Sequence, residues 1–293
     1  MPAHLVRVKS KLYVRSRRRI VHALDGEYAS RSRGRGFDFE DLRDYQPGDD
    51  VRDIDWKATA RRGEPLVRRH LVTRQRSLVA LVDTASTMNA RTPAHEDKGD
   101  LAVLAVGVLG YLALKHGDRV GLVRGDAGGV VAARPREGER HLEQLLGATR
   151  TAIDTSRSAP DLAGVIEHAR RRLTRDAIVV VVTDDVEMDE RLEQSVRRLA
   201  AAHDTLWVAV ADANPARELA RGEVADARGG WRVPRYLSRS RRIADEHDEL
   251  TTRLRESLAD VLDDAHVSRC RVESSDTAVR ELLTMLRRRP YAH

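Results

Sequence analysis

Residues 34 to 61, GRGFDFEDLRDYQPGDDVRDIDWKATAR, concentrate side chains suited to recognition. The chain's only two phenylalanines, Phe37 and Phe39, fall here beside Tyr45 and Trp56. Acidic and basic residues alternate between the aromatic rings, and Pro47-Gly48-Asp49 supplies turn chemistry. Side chains of both signs at this density either pair to fix an arm or stay exposed to read a complementary surface. Arg43, Asp49, Arg52, Asp55, Trp56 and Arg61 are the candidate partner-binding residues. Large aromatic bodies stabilise when buried, so the segment is expected to pack against the rest of the chain, with the Trp56 ring as an anchor. Covalent chemistry has little to work with. No G-x-S-x-G and no G-x-x-x-x-G-K-[ST] occurs, and none of the eleven histidines forms an H-x-x-x-H pair. The chain is not expected to be an enzyme.

The same stretch resembles the signature of the bacterial domain-of-unknown-function 58 family, roughly G-x-G-x-E-F-x-x-x-R-x-Y-x-x-G-D-x-x-R-x-I-D-W-x-x-x-A-R. Gly34, Gly36, Phe39, Arg43, Tyr45, Gly48, Asp49, Arg52, Ile54, Asp55, Trp56, Ala60 and Arg61 fit it, while Asp38 stands where glutamate is usual. The resemblance implies that a domain similar to the von Willebrand factor A fold follows. It also implies a protein partner, a MoxR-type AAA+ ATPase.

That fold carries a metal-ion-dependent adhesion site of pattern Asp-x-Ser-x-Ser, a threonine from a second loop and an aspartate from a third. By resemblance, Asp83, Thr87 and Asp184 are the candidate ligands, and Mg²⁺ the candidate ion. Hard cations take oxygen ligands and keep several waters, which carboxylates and hydroxyls can accommodate. The match is incomplete. Ala85 stands where the first serine belongs, Ser86 is out of phase, and only Ser158 or Thr155 could replace the middle threonine. The alternative is that Asp83 and Asp184 simply start loops near helix N-termini, where the helix dipole favours them.

The elements that would position these groups alternate. Leu78–Val82 and Ala177–Val182 are short apolar runs ending in polar turns, as buried parallel strands do. Asp97–His116 is a helix apolar nearly all round, stopped by Gly117. Strands are expected at 65–73, 119–124, 129–133, 205–211 and 267–272, with a hairpin turn at 126–129. Helices are expected at 14–24, 139–149, 161–173, 189–203, 243–263 and 277–288. Such alternation predicts an α/β fold: a von Willebrand factor A-like, Rossmann-type, mostly parallel sheet with helices on both faces, preceded by the signature segment. The expected division is an arm with the signature over 1–72 and the α/β domain over 73–293, with an insertion near 212–240.

The chain of 293 residues has 33% charged residues and a net charge of +6. Only five of its 52 basic residues are lysine, and acidic residues lie among the arginines almost throughout. Nucleic-acid binding needs a clustered basic face, so it is not expected. Cys270 is the single cysteine, which excludes an intrachain disulfide and a cysteine zinc site. The longest apolar run, Leu101–Leu114, is too short to span a bilayer, and the N-terminus lacks an apolar signal core. A cytoplasmic protein-interaction or adaptor module is expected. The alternatives are a metal-dependent hydrolase, or a nucleic-acid or membrane-surface binder acting through the basic N-terminus.

Overall fold

A computed structural model describes residues 4–15, 41–46, 51, 54–69, 75–174, 177–215, 218 and 241–288. Its centre is a six-stranded sheet of β3 (Ser77–Asp83), β4 (Arg119–Asp126), β5 (Gly129–Arg136), β6 (Ile178–Thr183), β7 (Asp204–Val210) and β8 (Ser268–Val272). The order is β5-β4-β3-β6-β7-β8. All neighbours pair in parallel except β4 and β5, which form the expected antiparallel edge hairpin. This is the von Willebrand factor A-like layout, mostly parallel with helices on both faces.

Strand side chains alternate in direction, and the two faces sort accordingly. Leu78, Ala80 and Val82 of β3, with Val180 and Val182 of β6, enter one core. Helices α1 (His4–Arg15), α3 (Lys98–Lys115), α4 (Glu139–Thr155) and α8 (Ser275–Arg288) cover that core. Val79 and Leu81, with Val179 and Val181, enter the other, under α5 (Leu162–Arg170), α6 (Glu190–Ala200) and α7 (Arg241–Asp264). Helix α3 is apolar all round because it lies between the sheet and α1, α4 and α8, with nearly every side chain buried. Gly117, at φ 79°, ends it in a conformation that glycine adopts freely.

A first helix spans His4–Arg15, and the helix expected at 14–24 lies outside the described residues beyond its first two positions. Leu5, Val8 and Leu12 form the apolar stripe of α1 and join the core against α3. Its entry is held by the Glu143 carboxylate, which accepts from the backbone N–H of His4 at 2.8 Å and of Leu5 at 2.7 Å. Such orphan donors are what a helix start must satisfy.

The described part of the signature builds a small hairpin-and-helix unit. Strand β1 (Asp41–Asp44) pairs antiparallel with β2 (Leu66–Arg69), and α2 (Trp56–Arg62) lies between them in sequence. Asp55, which is buried, caps α2 by accepting from Lys57 N at 2.9 Å and Ala58 N at 3.0 Å. Gly63, at φ 84°, closes the helix with a bond to the Thr59 carbonyl.

Candidate functional site

The chain runs from β3 towards β5 on one side of the sheet, then returns to place β6 beside β3 and continues to β8 on the other. Between β3 and β6 the crossovers part, and open α/β sheets bind ligands at that point, beyond the strand C-termini. Asp83 ends β3, and Thr183-Asp184-Asp185 ends and follows β6. Asp212 follows β7 by two residues. Asp83 and Asp184 therefore meet, as expected, together with two further aspartates that the sequence motifs did not nominate.

The centre of the cluster is Lys98, the first residue of α3. Its side chain is fully buried, and Nζ donates to Asp184 Oδ2 at 2.9 Å and also to Asp212 Oδ1. A lysine at a helix N-terminus opposes the positive end of the dipole, so its placement depends on these carboxylates. Burial alone would favour the neutral amine. Asp184 and Asp212 outweigh it and hold the Lys98 ammonium above its usual range.

The carboxylates respond to the same setting. Asp83 is sealed from solvent, accepting from Ala85 N at 2.9 Å and from the Thr183 hydroxyl at 3.4 Å. Burial, then repulsion from Asp184, pushes its carboxyl up to about 7. Burial also pushes Asp212 up to about 6, against the pull of Lys98. Asp185 goes the other way. Burial opposes its charge, but Arg271 and Arg255 donate to it at 3.1 Å and 2.8 Å and hold it below the usual carboxylate range. Asp185 also accepts from Asp212 N at 3.2 Å, so it ties α7 and β8 to the loop after β7.

A cavity of about 440 Å³ opens over this cluster. Asp161, Asp184, Asp185, Glu187, Asp189 and Asp212 line it, with Thr87 on one wall and Arg191 as the single basic lining residue among the described residues. Arg191 pairs with Asp161 at 2.9 Å.

The expected Mg²⁺ donors are thus gathered at one end of the sheet, and the arrangement they form suits an ammonium. Ala85 is buried and offers no side-chain oxygen. Asp184 is engaged by Lys98 and Asp83 by Ala85 N. Thr87 Oγ1 is buried without a hydrogen-bond partner and is the one expected donor left unengaged. The suggested substitutes turn elsewhere: Thr155 donates to the Thr151 carbonyl, and the Ser158 hydroxyl lies against Gly128. Among the described residues, no group of three or more His, Cys, Asp or Glu side chains is arranged to hold a metal ion. A dication sharing Asp184 would sit within a few ångströms of an ammonium in a low-dielectric site, where like charges repel strongly. The donor set does not fit the ion.

Of the candidate partner-binding residues, Arg43, Asp55, Trp56 and Arg61 fall in the hairpin-and-helix unit. Trp56 and Arg61 are exposed on α2, while buried Asp55 caps the same helix. Arg43 pairs with Val67 through the backbone of β1. Asp49 and Arg52 lie outside the described residues, as do Phe37 and Phe39. The expectation of Trp56 as a buried anchor is corrected: its residue surface is 65% exposed, because it occupies the first position of a helix with no buried side chains.

Lys98 had one sequence signal, a lysine opening a helix otherwise apolar over several turns, in a chain with only five lysines. Asp212 had none beyond following a strand.

Uncharacterized proteins from Mycobacterium bovis and Mycobacterium tuberculosis are 32% identical over 194 residues, 64% of this chain. The chain spans 59% of the length of these curated relatives. Among solved structures, an aerotolerance-related membrane protein from Bacteroides fragilis matches at 13% identity and a TM-score of 0.45, over 72% of this chain and 98% of that one. A von Willebrand factor type A protein from Catenulispora acidiphila matches at 11% and 0.40, over 76% and 43%. No helix among the described residues is long and apolar enough to cross a membrane. Residues 41–255 match the family described as "Protein of unknown function DUF58", and the chain belongs to that family.

Proposed function

We propose that this protein is a non-enzymatic recognition module whose acidic cavity, at the strand C-termini, docks a basic element of a protein partner. The observation behind this reading is that the central carboxylates are already engaged by Lys98, Arg255 and Arg271. Carboxylates held in this way stabilise a surface of defined charge, and no nucleophile paired with a base stands among them. The acidic lining selects a cationic partner group. Exposed Trp56 and Arg61 offer a second contact of the composition common in binding hot spots. The family resemblance nominates a MoxR-type AAA+ ATPase as that partner, with this chain as its adaptor.

The alternatives have less support. A hydrolase needs an activated water or nucleophile, and the donor set does not fit the ion that would supply one. For a binder acting through the basic N-terminus, the arginine runs it would use, at 17–19 and 31–35, lie outside the described residues.

The test is co-expression with a MoxR-type ATPase, followed by size exclusion and ATP-turnover assays. Wild type is expected to co-elute and to change turnover. Glu187→Arg, a charge reversal at an exposed rim position, is expected to weaken the complex about tenfold or more. No complex, or a complex indifferent to Glu187→Arg, overturns the docking assignment.

A further inference from the structure

The resemblance to the von Willebrand factor A fold implies a cation where β3 and β6 diverge, and here a lysine ammonium already lies in that region. The Lys98 side chain is wholly buried, with Nζ 2.9 Å from Asp184 Oδ2 and bonded to Asp212 Oδ1. Three features fix it there. Asp97 caps α3 through the Asp100 N–H at 3.0 Å, so the helix begins at Lys98. Lys98 N donates to the Ala90 carbonyl at 3.0 Å, which sets the loop's return path. The rest of α3 is locked in the core, so the helix start cannot slide away from the strand ends.

We propose that Lys98 is the resident cation of this site, a side-chain ammonium that takes the role of a divalent ion, so that the site is assembled without metal. The substitution is chemically coherent. An ammonium carries one positive charge and three donors, and it satisfies carboxylates at hydrogen-bond distance without a hydration shell to organise. A divalent ion needs several oxygen ligands and their waters. Ala85 is consistent with this exchange, since an ammonium already satisfied by Asp184 and Asp212 does not require a hydroxyl from that position.

The test uses the full chain stripped with chelator. Adding about 10 mM MgCl₂ or CaCl₂, well above the dissociation constants of ordinary exposed cation sites, is expected to leave the wild-type melting midpoint unchanged and to give no binding heat. Lys98→Ala removes the ammonium and opens its channel. Its midpoint is expected to fall, then to recover by about 3–5 °C with the divalent ion or with propylammonium, the rise given by a ligand at some ten times its dissociation constant. Lys98→Met fills the channel without charge and is expected to fall without recovery by the amine. A saturable Mg²⁺ heat or midpoint rise in wild type overturns the proposal. So does a Lys98→Ala protein as stable as wild type. If Lys98→Ala does not fold, the wild-type titration alone decides.

Discussion

Lys98 and Asp184 lie 86 residues apart in the chain and 2.9 Å apart in the fold, with 0% and 7% of their side chains exposed. Asp212, the other acceptor of the same ammonium, is 35% exposed. Water can replace part of what Asp212 loses, but it cannot reach Asp184 in the same way. The two carboxylates should therefore differ in what they contribute to stability. Removing one member of a buried pair costs about 3–5 kcal/mol, whereas partly exposed pairs cost far less. Asp184→Asn is expected to lower unfolding free energy by about that larger amount, and Asp212→Asn by about half or less. Denaturant unfolding of both variants checks this, and equal losses would show that the pair's burial does not set its strength.

Asp83 predicts a pH dependence of definite sign. Its folded carboxyl is raised to about 7 by burial and by Asp184. An unfolded aspartic acid titrates near about 4. Between these values the folded state holds a proton that the unfolded chain releases, so stability falls as pH rises through the window. Asp83→Asn keeps the acceptor for Ala85 N and removes the charge. It is expected to match wild type at a pH of about 4 or below, to exceed it by about 1 kcal/mol near a pH of about 5, and by about 2–4 kcal/mol near a pH of about 8. That figure follows because each tenfold difference in proton affinity between the two states is worth about 1.4 kcal/mol. Asp212 contributes a similar slope to both proteins and largely cancels. A difference that does not change with pH would mean Asp83 is ionised throughout.

The sheet was legible because its strands declare themselves. Four consecutive valines after Ile178 cannot find a comfortable solvated face, and Asp83 and Thr183 mark where the buried runs stop. The site was half legible for the same reason. Strand ends at Asp83 and Asp184 follow from local patterning, whereas Lys98 and Asp212 reach the cluster only through the crossing of α3 over the sheet and the end of β7. No local rule encodes such contacts. The α1 stripe of Leu5, Val8 and Leu12 was hidden among lysines and arginines, whose pairing with Asp100, Glu139 and Asp276 is a tertiary event. Trp56 shows the opposite failure. A scarce aromatic suggests burial, yet the capping of α2 by Asp55 leaves the ring in solvent.

Trp56 accordingly separates stability from recognition. With 65% of its surface exposed, Trp56→Ala is expected to change unfolding free energy by no more than about 0.5 kcal/mol. If the ring is a partner contact, the same variant should weaken the ATPase complex by about tenfold or more, since tryptophans often dominate such interfaces. Chemical denaturation and size exclusion of the co-expressed proteins make the comparison. A large stability loss would place the ring in a packed environment after all, and unchanged binding would remove it from the partner surface.

The seating of α1 depends on a missing side chain. A Cβ added at Gly107, in the middle of α3, would collide with Cγ2 of Val8 and press on Cδ1 of Leu146 at 3.3 Å. Val8 is β-branched and confined to few rotamers, so it cannot swing clear cheaply. Alanine would ordinarily stabilise a helix interior over glycine by about 1 kcal/mol. Here overpacking, at about 1–3 kcal/mol, should win or at least cancel that gain. The strain is expected to fall on α1, which is held by Leu5, Val8, Leu12 and the Glu143 cap rather than by sheet pairing. Gly107→Ala should therefore speed amide exchange across residues 4–15 while leaving β3 and β6 protected. Combining it with Val8→Ala, which clears the colliding methyl, should restore protection. Uniform loss of protection across the sheet would mean that α1 and the domain unfold as one unit, and no change in α1 would mean the helix tolerates the added methyl by shifting as a body.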